Sequence, residues 1–168
     1  GSGNFLLSSY EFAINYCLDW YMNNDKEYAI CQGYISEIPG SDLYKLSYEL
    51  RRKILVNNIW GVDLDPLAVE VAKFSLFLKL LEKVSAEEID AYAKRTGFRI
   101  LPRLDGNIKN GNSLVDSAYA RFSPDVYSDD TRLETIRMFD WEPEFGGQGF
   151  DVVVGNPPYI RVQNMVKY

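Results

Sequence analysis

Residues 58–71 read NIWGVDLDPLAVEV and carry the clearest structural signal in the chain. The β-prone residues at the start of this segment predict a short strand that ends at Asp63. Asp65 suits the N-cap of a following helix, and Pro66 suits its first position. Apolar residues then repeat at helical spacing and predict the buried face of that helix: Leu67, Val71, Phe74, Leu78 and Leu81.

Three further helices are predicted from the spacing of apolar residues and from helix-breaking residues. The first covers 5–22, and four of its residues share one side: Leu6, Ala13, Cys17 and Trp20. The second covers 43–56, after a polar and irregular stretch at 23–42. The third covers 86–95 and stops before Gly97.

Two more strands are predicted, a weaker one near Ile108 and a stronger one at 150–154. The stronger strand contains three consecutive valines, 152–154, which are typical of a strand buried on both faces. Strands separated by helices predict an α/β protein with a parallel sheet, whose ligands bind at the carboxyl ends of the strands. The segments 23–57 and 115–149 are interpreted as insertions into this core.

Composition narrows the possible functions. The chain has 168 residues, a net charge of −6 and no histidine, which excludes histidine-based catalysis. Its acidic balance means that any contact with nucleic acid must be local or lie on another segment. Cys17 and Cys31 lack a metal-binding or redox spacing, and no metal site is predicted. Without a membrane-spanning run or a signal peptide, the chain is predicted to be soluble and cytoplasmic.

Residues 156–159 read NPPY and directly follow the predicted valine strand. Two adjacent prolines fix the backbone and remove two N–H donors, so the carbonyl oxygens of Asn156 and Pro157 become rigid acceptors. The structural alternative is a turn at the end of a strand, in which Asn156 bonds its own backbone and Tyr159 fills the core.

This tetrapeptide resembles the catalytic motif of S-adenosylmethionine-dependent amino-methyltransferases, above all the DNA adenine-N6 methyltransferases. The wider pattern resembles the large adenine methyltransferases of type IIG restriction-modification and phage-defence systems. It includes GVDLDPLAV at 61–69, GNSL at 111–114, FDW at 139–141 and GFDVVVG at 149–155. GSGNFL at 1–6 is similar to the end of the family's glycine-rich first motif, although a cloning remnant would also explain Gly1–Gly3.

The resemblance implies a Rossmann-like, doubly wound and mostly parallel sheet of the class I methyltransferases. In that fold the central strand would precede Gly1, so 1–168 would be a partial catalytic domain, incomplete in this chain. It would carry a helical insertion at 23–57, and 115–149 would be a loop or a second insertion. The family also leads us to expect a DNA-recognition region outside this chain and restriction or specificity domains in the same polypeptide.

The resemblance also implies the residues of the site. Asn156, Pro157 and Tyr159 would be catalytic, and Pro158 and Tyr159 would hold the target base. The cofactor S-adenosylmethionine would be bound by Gly1, Gly3, Phe5, Asp63, Leu64, Asn112 and Ser113. Asp63 would accept from the ribose hydroxyls, and Asn112 would meet the adenine edge. An exposed loop acid and a turn-forming asparagine are their respective alternatives.

The expected reaction transfers a methyl group to the exocyclic amine of adenine in DNA. Two neutral oxygens that accept both amine hydrogens would orient the nitrogen without a strong base. Two other functions stay open. Protein glutamine-N5 methyltransferases use the same tetrapeptide, and a non-catalytic module could retain the fold.

Overall fold

The structure is a computed structural model that describes residues 3–97, 99–118, 136–147 and 149–156. Within these ranges the fold is a mixed α/β arrangement with one antiparallel and one parallel pair of strands. The helices are α1 Asn4–Asn24, α2 Lys26–Cys31, α3 Tyr48–Asn58, α4 Pro66–Leu81, α5 Ala86–Thr96 and α6 Trp141–Glu144. The strands are β1 Ile35–Glu37, β2 Tyr44–Leu46, β3 Gly61–Asp63 and β4 Ile108–Asn110. No helix in the described ranges is both long and apolar enough to cross a membrane.

The predicted strand–turn–helix unit is confirmed. β3 ends at Asp63, and α4 begins at Pro66. The Asp65 carboxylate caps α4 by accepting from the Leu67 amide at 2.9 Å. β4 lies where the weaker strand was predicted and runs parallel to β3, with Asp63 opposite Asn110.

A buried asparagine fixes the beginning of this parallel pair. Asn107 is 5% exposed, and its side-chain amide donates to the carbonyl oxygens of Val56 at 2.7 Å and Ile59 at 3.0 Å. Its own carbonyl accepts from the Gly61 amide at 2.9 Å. The end of α3, the start of β3 and the start of β4 are therefore joined through one residue.

The predicted buried face of α4 is wrong. Four of its five residues are largely exposed, with Leu67 at 74% and Phe74 at 62%, and the buried residues are Val69, Ala72, Leu76 and Leu80. α4 is apolar on two sides, so helical spacing alone does not decide which side packs. The buried side of α4 carries the small Ala72. Gly3 approaches Ala72 so closely that a Cβ at position 3 would stand 2.7 Å from the Ala72 Cβ.

α1 is close to the predicted 5–22, but its packed side is only partly as expected. Tyr10 is fully buried, while Trp20, which was predicted to share the packed side, is 48% exposed. Burial raises the pKa of Tyr10, so its hydroxyl stays protonated and donates to the Arg51 carbonyl at 3.0 Å. This hydrogen bond joins α1 to α3.

The predicted helix at 43–56 is wrong in its first turn. Residues 44–46 form β2, which pairs antiparallel with β1 in the register Ile35 to Leu46. α3 starts only after Ser47, whose side chain caps it by accepting from the Leu50 amide at 3.4 Å. The β1–β2 hairpin forms in place of a longer helix because Leu46 and Ile35 bury their side chains against the small α2.

The predicted strand at 150–154 is also wrong. This segment forms no strand, and its three valines are exposed, with Val152 at 76% and Val153 at 75%. A strand needs a neighbour for its backbone hydrogen bonds, and in the described part of the chain none runs beside this segment. The α5 prediction, by contrast, is confirmed, since α5 ends before Gly97.

Arg51 ties the core together as a buried cation. It is 5% exposed, and its guanidinium donates to the carbonyl oxygens of Lys79 and Glu82 at the C-terminal end of α4. The last carbonyls of a helix lack partners within the helix and carry partial negative charge, so a cation there is favourable. Arg51 therefore links α3 to α4.

We predict that Arg51→Met lowers the free energy of unfolding by about 2–3 kcal/mol, because charge-assisted hydrogen bonds to buried carbonyls are lost. Urea denaturation monitored by circular dichroism measures this loss. Arg95→Met is the matched control, since Arg95 is exposed and pairs with Glu49 at the surface, and its loss should stay below about 1 kcal/mol. Equal losses in both variants would contradict the role of Arg51.

Gly111 lies directly after β4, where Phe139 packs against the backbone. A Cβ at Gly111 would stand 2.6 Å from the Phe139 Cδ2 atom and 2.9 Å from its Cβ. Phe139 is 4% exposed, so the ring has little room to withdraw. Only glycine permits this approach.

We predict that Gly111→Ala destabilises the protein by about 1–3 kcal/mol, the usual cost of overpacking. Gly106→Ala is the matched control, because nothing lies within 4 Å of the Cβ position at Gly106. Thermal denaturation of both variants compares them. A Gly111→Ala variant as stable as Gly106→Ala would show that Phe139 does not constrain this turn.

Candidate active site

The carboxyl ends of β3 and β4 bring several of the sequence-predicted residues together. Asp63 and Asn110 are register partners in the parallel pair, and the Gly111 amide donates to the Asp63 carbonyl at 3.0 Å. The chain after β4 turns through 111–115 beside the loop that follows β3. A ligand that spans both loops would therefore contact both GVDLD and GNSL.

Asp63 is half-buried, and its carboxylate is oriented by its own loop. Its Oδ1 atom accepts from the Asp65 amide at 2.9 Å. The next residue, Leu64, is 50% exposed. An acceptor carboxylate and an exposed apolar side chain thus stand next to each other at the end of β3.

Asn112 shapes the turn after β4. Its side-chain oxygen accepts from the Leu114 amide at 3.2 Å, and its carbonyl accepts from the Val115 amide at 3.2 Å. The turn-forming geometry is therefore present at Asn112. Its cofactor role stays a prediction, because the amide group of the side chain can donate while its oxygen forms the turn. Ser113 is exposed beside it.

Gly3 is the one residue of the predicted glycine motif within the described ranges that precedes α1. Its φ of 73° lies in the left-handed region that favours glycine, and it forms the N-cap of α1. Together with its contact to Ala72, this gives Gly3 a packing role. Phe5 is 53% exposed. Gly1, which was predicted to bind the cofactor, lies outside the described residues.

The FDW motif at 139–141 contacts the turn after β4 with all three residues. Besides the packing of Phe139 on Gly111, Asp140 accepts from the Ser117 amide at 2.8 Å, and the Trp141 ring nitrogen donates to the Ser113 carbonyl at 3.0 Å. The Phe139 and Trp141 rings join an aromatic cluster with Trp60, Phe145 and Phe150, at centroid distances of 5.1–6.3 Å. The motif therefore holds the 111–117 turn in place.

Sequence reasoning missed Asn110 and Arg137. The Asn110 side chain donates to the carbonyl oxygens of Asp63 and Leu64, each at 2.9 Å, and accepts from Arg137 at 2.6 Å. The available signal was a polar residue at the last position of a strand, directly before the glycine of GNSL.

The structure describes the NPPY tetrapeptide only at its first residue. Asn156 is exposed at the end of 149–156, and Pro157, Pro158 and Tyr159 lie outside the described residues. One cavity of about 320 Å³ is lined by Trp141, Phe150 and Val153 among others, and another of about 110 Å³ lies between α1, β2 and α4. Neither cavity is lined by Asp63, Asn112 or Asn156.

The side chains at the carboxyl ends of β3 and β4 are suited to bind a nucleoside. A carboxylate can accept from two ribose hydroxyls, an exposed leucine can cover one face of a base, and an amide can meet the edge of the base. Within the described ranges no group of three or more Cys, Asp or Glu side chains could hold a metal ion.

Comparison with known proteins shows which family this chain resembles. The Eco57I restriction-modification methylase family matches residues 57–168, from the end of α3 onward. The type II restriction enzyme and methyltransferase RM.Eco57I of Escherichia coli is 39% identical over 165 residues, which are 98% of this chain and 14% of that protein. The adenine-specific methyltransferase PglX of Streptomyces coelicolor is 27% identical over 134 residues, which are 75% of this chain and 10% of that protein.

No solved structure matches this chain significantly. The chain spans about a seventh of the length of the E. coli relative that it matches. The family match covers about two thirds of this chain, including the loops after β3 and β4 and the NPPY segment. The chain belongs to the Eco57I restriction-modification methylase family.

Proposed function

We propose that this chain is the catalytic part of a DNA methyltransferase that uses S-adenosylmethionine and modifies the exocyclic N6 of adenine. The protein would act in a restriction-modification or phage-defence system. The observation that carries the proposal is the parallel pairing of β3 with β4, which sets the Asp63 carboxylate beside the GNSL turn. Family membership and the similarity to an adenine-specific methyltransferase support it.

The cofactor side of the site consists of residues at the strand ends. S-adenosylmethionine, when bound, supplies an activated methyl group. Asp63 accepts from the ribose hydroxyls, Leu64 covers one face of the adenine, and Asn112 donates to the edge of that base. Ser113, Gly3 and Phe5 border the same space in this proposal, as does Gly1.

The acceptor side consists of the NPPY segment. The Asn156 side-chain oxygen and the Pro157 carbonyl oxygen accept hydrogen bonds from the two N–H groups of the target amine, so the nitrogen lone pair is directed toward the methyl group. After methylation the cationic amine releases one of these protons to water. These acceptors are neutral, which agrees with a chain that has no histidine. Tyr159 stacks on the base after it leaves the duplex, a contact worth about 1–3 kcal/mol, and Pro158 stiffens the corner.

We also propose that the full catalytic sheet contains a strand between β3 and 150–154. In the described residues, β3 pairs only with β4, and the three valines at 152–154 are exposed. A strand in that position would bury these valines and bring Asn156 to the edge where Asp63 lies. On this proposal 1–168 is a partial catalytic domain, with insertions at 23–57 and 115–149, and the DNA-recognition and restriction regions lie elsewhere in the polypeptide.

We predict that the full-length protein forms N6-methyladenine in DNA and that Asn156→Ala reduces turnover by about 100- to 1,000-fold, since a transition-state acceptor is lost. S-adenosylmethionine binding should stay within about threefold of wild type, because Asn156 contacts the other substrate. Mass spectrometry of digested DNA measures the product, and isothermal titration calorimetry measures the binding.

Three results would contradict this proposal. Methylated glutamine in a protein substrate, without methylated DNA, would favour a glutamine-N5 methyltransferase. Absence of any methylated product from a folded, cofactor-binding wild type would favour a non-catalytic module. Wild-type turnover in Asn156→Ala would remove the assigned role of that amide.

A second prediction concerns Asp63. Asp63→Asn keeps an oxygen for the Asp65 amide but loses the charge that accepts from the ribose, so the affinity for S-adenosylmethionine should fall about 10- to 100-fold. Asp116→Asn is the matched control, because Asp116 accepts from the Ala118 amide at 3.0 Å in the same kind of turn. Calorimetry on both variants compares them. If Asp63→Asn and Asp116→Asn bound S-adenosylmethionine with equal affinity, Asp63 would not be the residue that contacts the ribose.

A further inference from the structure

Asn110 joins the loop after β3 to the segment that contains Arg137. Its amide nitrogen donates to two successive carbonyl oxygens, those of Asp63 and Leu64, each at 2.9 Å. Its oxygen accepts from Arg137 at 2.6 Å. These partners fix the orientation of the carboxamide, because the reverse orientation would place its oxygen against two carbonyls and its N–H groups against a guanidinium.

Arg137 is held in place by its backbone as well as by its side chain. Its φ of 48° is in the left-handed region, which is uncommon for residues other than glycine. In this conformation its carbonyl accepts from the Asn112 amide at 2.7 Å, and Asn112 forms a parallel bridge with Met138. The guanidinium and the carbonyl of Arg137 thus contact residues on either side of Gly111.

The two carbonyls that Asn110 holds belong to the peptide units on both sides of Leu64. Their orientation sets where the Leu64 side chain points and where the Asp63 carboxylate stands relative to the 111–115 turn. This loop is also held by backbone N–H groups, including those of Asp65 and Gly111, which donate to Asp63. The Asn110 side chain adds a bond to the Leu64 carbonyl from outside the loop.

We propose that Asn110, oriented by Arg137, is a positioning residue that sets Asp63 and Leu64 for the ribose and adenine of the cofactor. This inference rests on the proposed function. Asn110 and Arg137 are both exposed, so water can replace their hydrogen bonds and the folded state loses little when they are removed. What is lost is the placement of the Asp63 carboxylate.

The test measures how much the ribose 2′-hydroxyl contributes to the affinity of the protein for S-adenosylhomocysteine. The full-length protein is titrated calorimetrically with S-adenosylhomocysteine and with its 2′-deoxyribose analogue. Wild type should bind the analogue about tenfold more weakly, the effect of one hydrogen bond to a charged group. We call the dissociation constant of the analogue divided by that of S-adenosylhomocysteine the ratio. In Asn110→Ala this ratio should fall below about threefold, because the Asp63 carboxylate is no longer held in place.

Three variants sharpen this test. Asn110→Asp keeps an acceptor for Arg137 but loses both donors, so its ratio should fall as in Asn110→Ala. Asp63→Asn should also show a reduced ratio. Asn23→Ala is the matched control, since Asn23 is exposed and donates to the Asp19 carbonyl at 2.8 Å near the far end of α1, and it should keep the wild-type ratio. The melting temperature of Asn110→Ala should stay within about 2 °C of wild type.

The possible results distinguish a failure of the positioning role of Asn110 from a failure of the proposed cofactor site. If wild type binds S-adenosylhomocysteine with the expected ratio and Asp63→Asn reduces it, a wild-type ratio in Asn110→Ala overturns the positioning role alone. A melting temperature that falls far below wild type in Asn110→Ala would also overturn it, by showing a general structural role. If wild type does not bind S-adenosylhomocysteine, or if Asp63→Asn keeps the ratio, the proposed cofactor site itself fails.

Discussion

The parallel hydrogen bonding between β3 and β4 is the constraint on which the candidate site depends. Three residues of each strand are paired. Asn107 directly precedes β4, and Asn110 is its last residue. Asn107 fixes the entry by bonding the end of α3, and Asn110 fixes the exit by bonding the loop after β3. Because the two strands are parallel, both loops that follow them emerge at one edge, and an acidic loop and a GNSL turn meet there.

Local rules predicted this edge well because the relevant signals lie close together in sequence. Asp65 and Pro66 specify where α4 begins, and the Asp65 carboxylate does cap it. The choice of the buried face of α4 was not predictable in the same way. Both sides of that helix are apolar, and the buried one carries Ala72, which lies against Gly3 from a distant part of the sequence.

The errors at 43–47 and 150–154 have the same physical origin, which is that strands depend on partners. Residues 44–46 become a strand because β1 is available to pair with them. Residues 150–154 have strong strand propensity and no neighbour in the described part of the chain, so their valines stay exposed. Asn110 and Arg137 were missed for a related reason, since their bonds join segments 47 and 27 positions apart.

We have proposed that a nucleoside binds where the loops after β3 and β4 meet. The decisive experiment is a crystal structure of the full-length protein with S-adenosylhomocysteine. We expect the ribose hydroxyls within hydrogen-bond distance of the Asp63 carboxylate, the adenine against Leu64, and Asn156 facing the sulfur across a shared cavity. A ligand bound away from Asp63, or an Asn156 amide buried in packed interior with no opening toward that ligand, would contradict it.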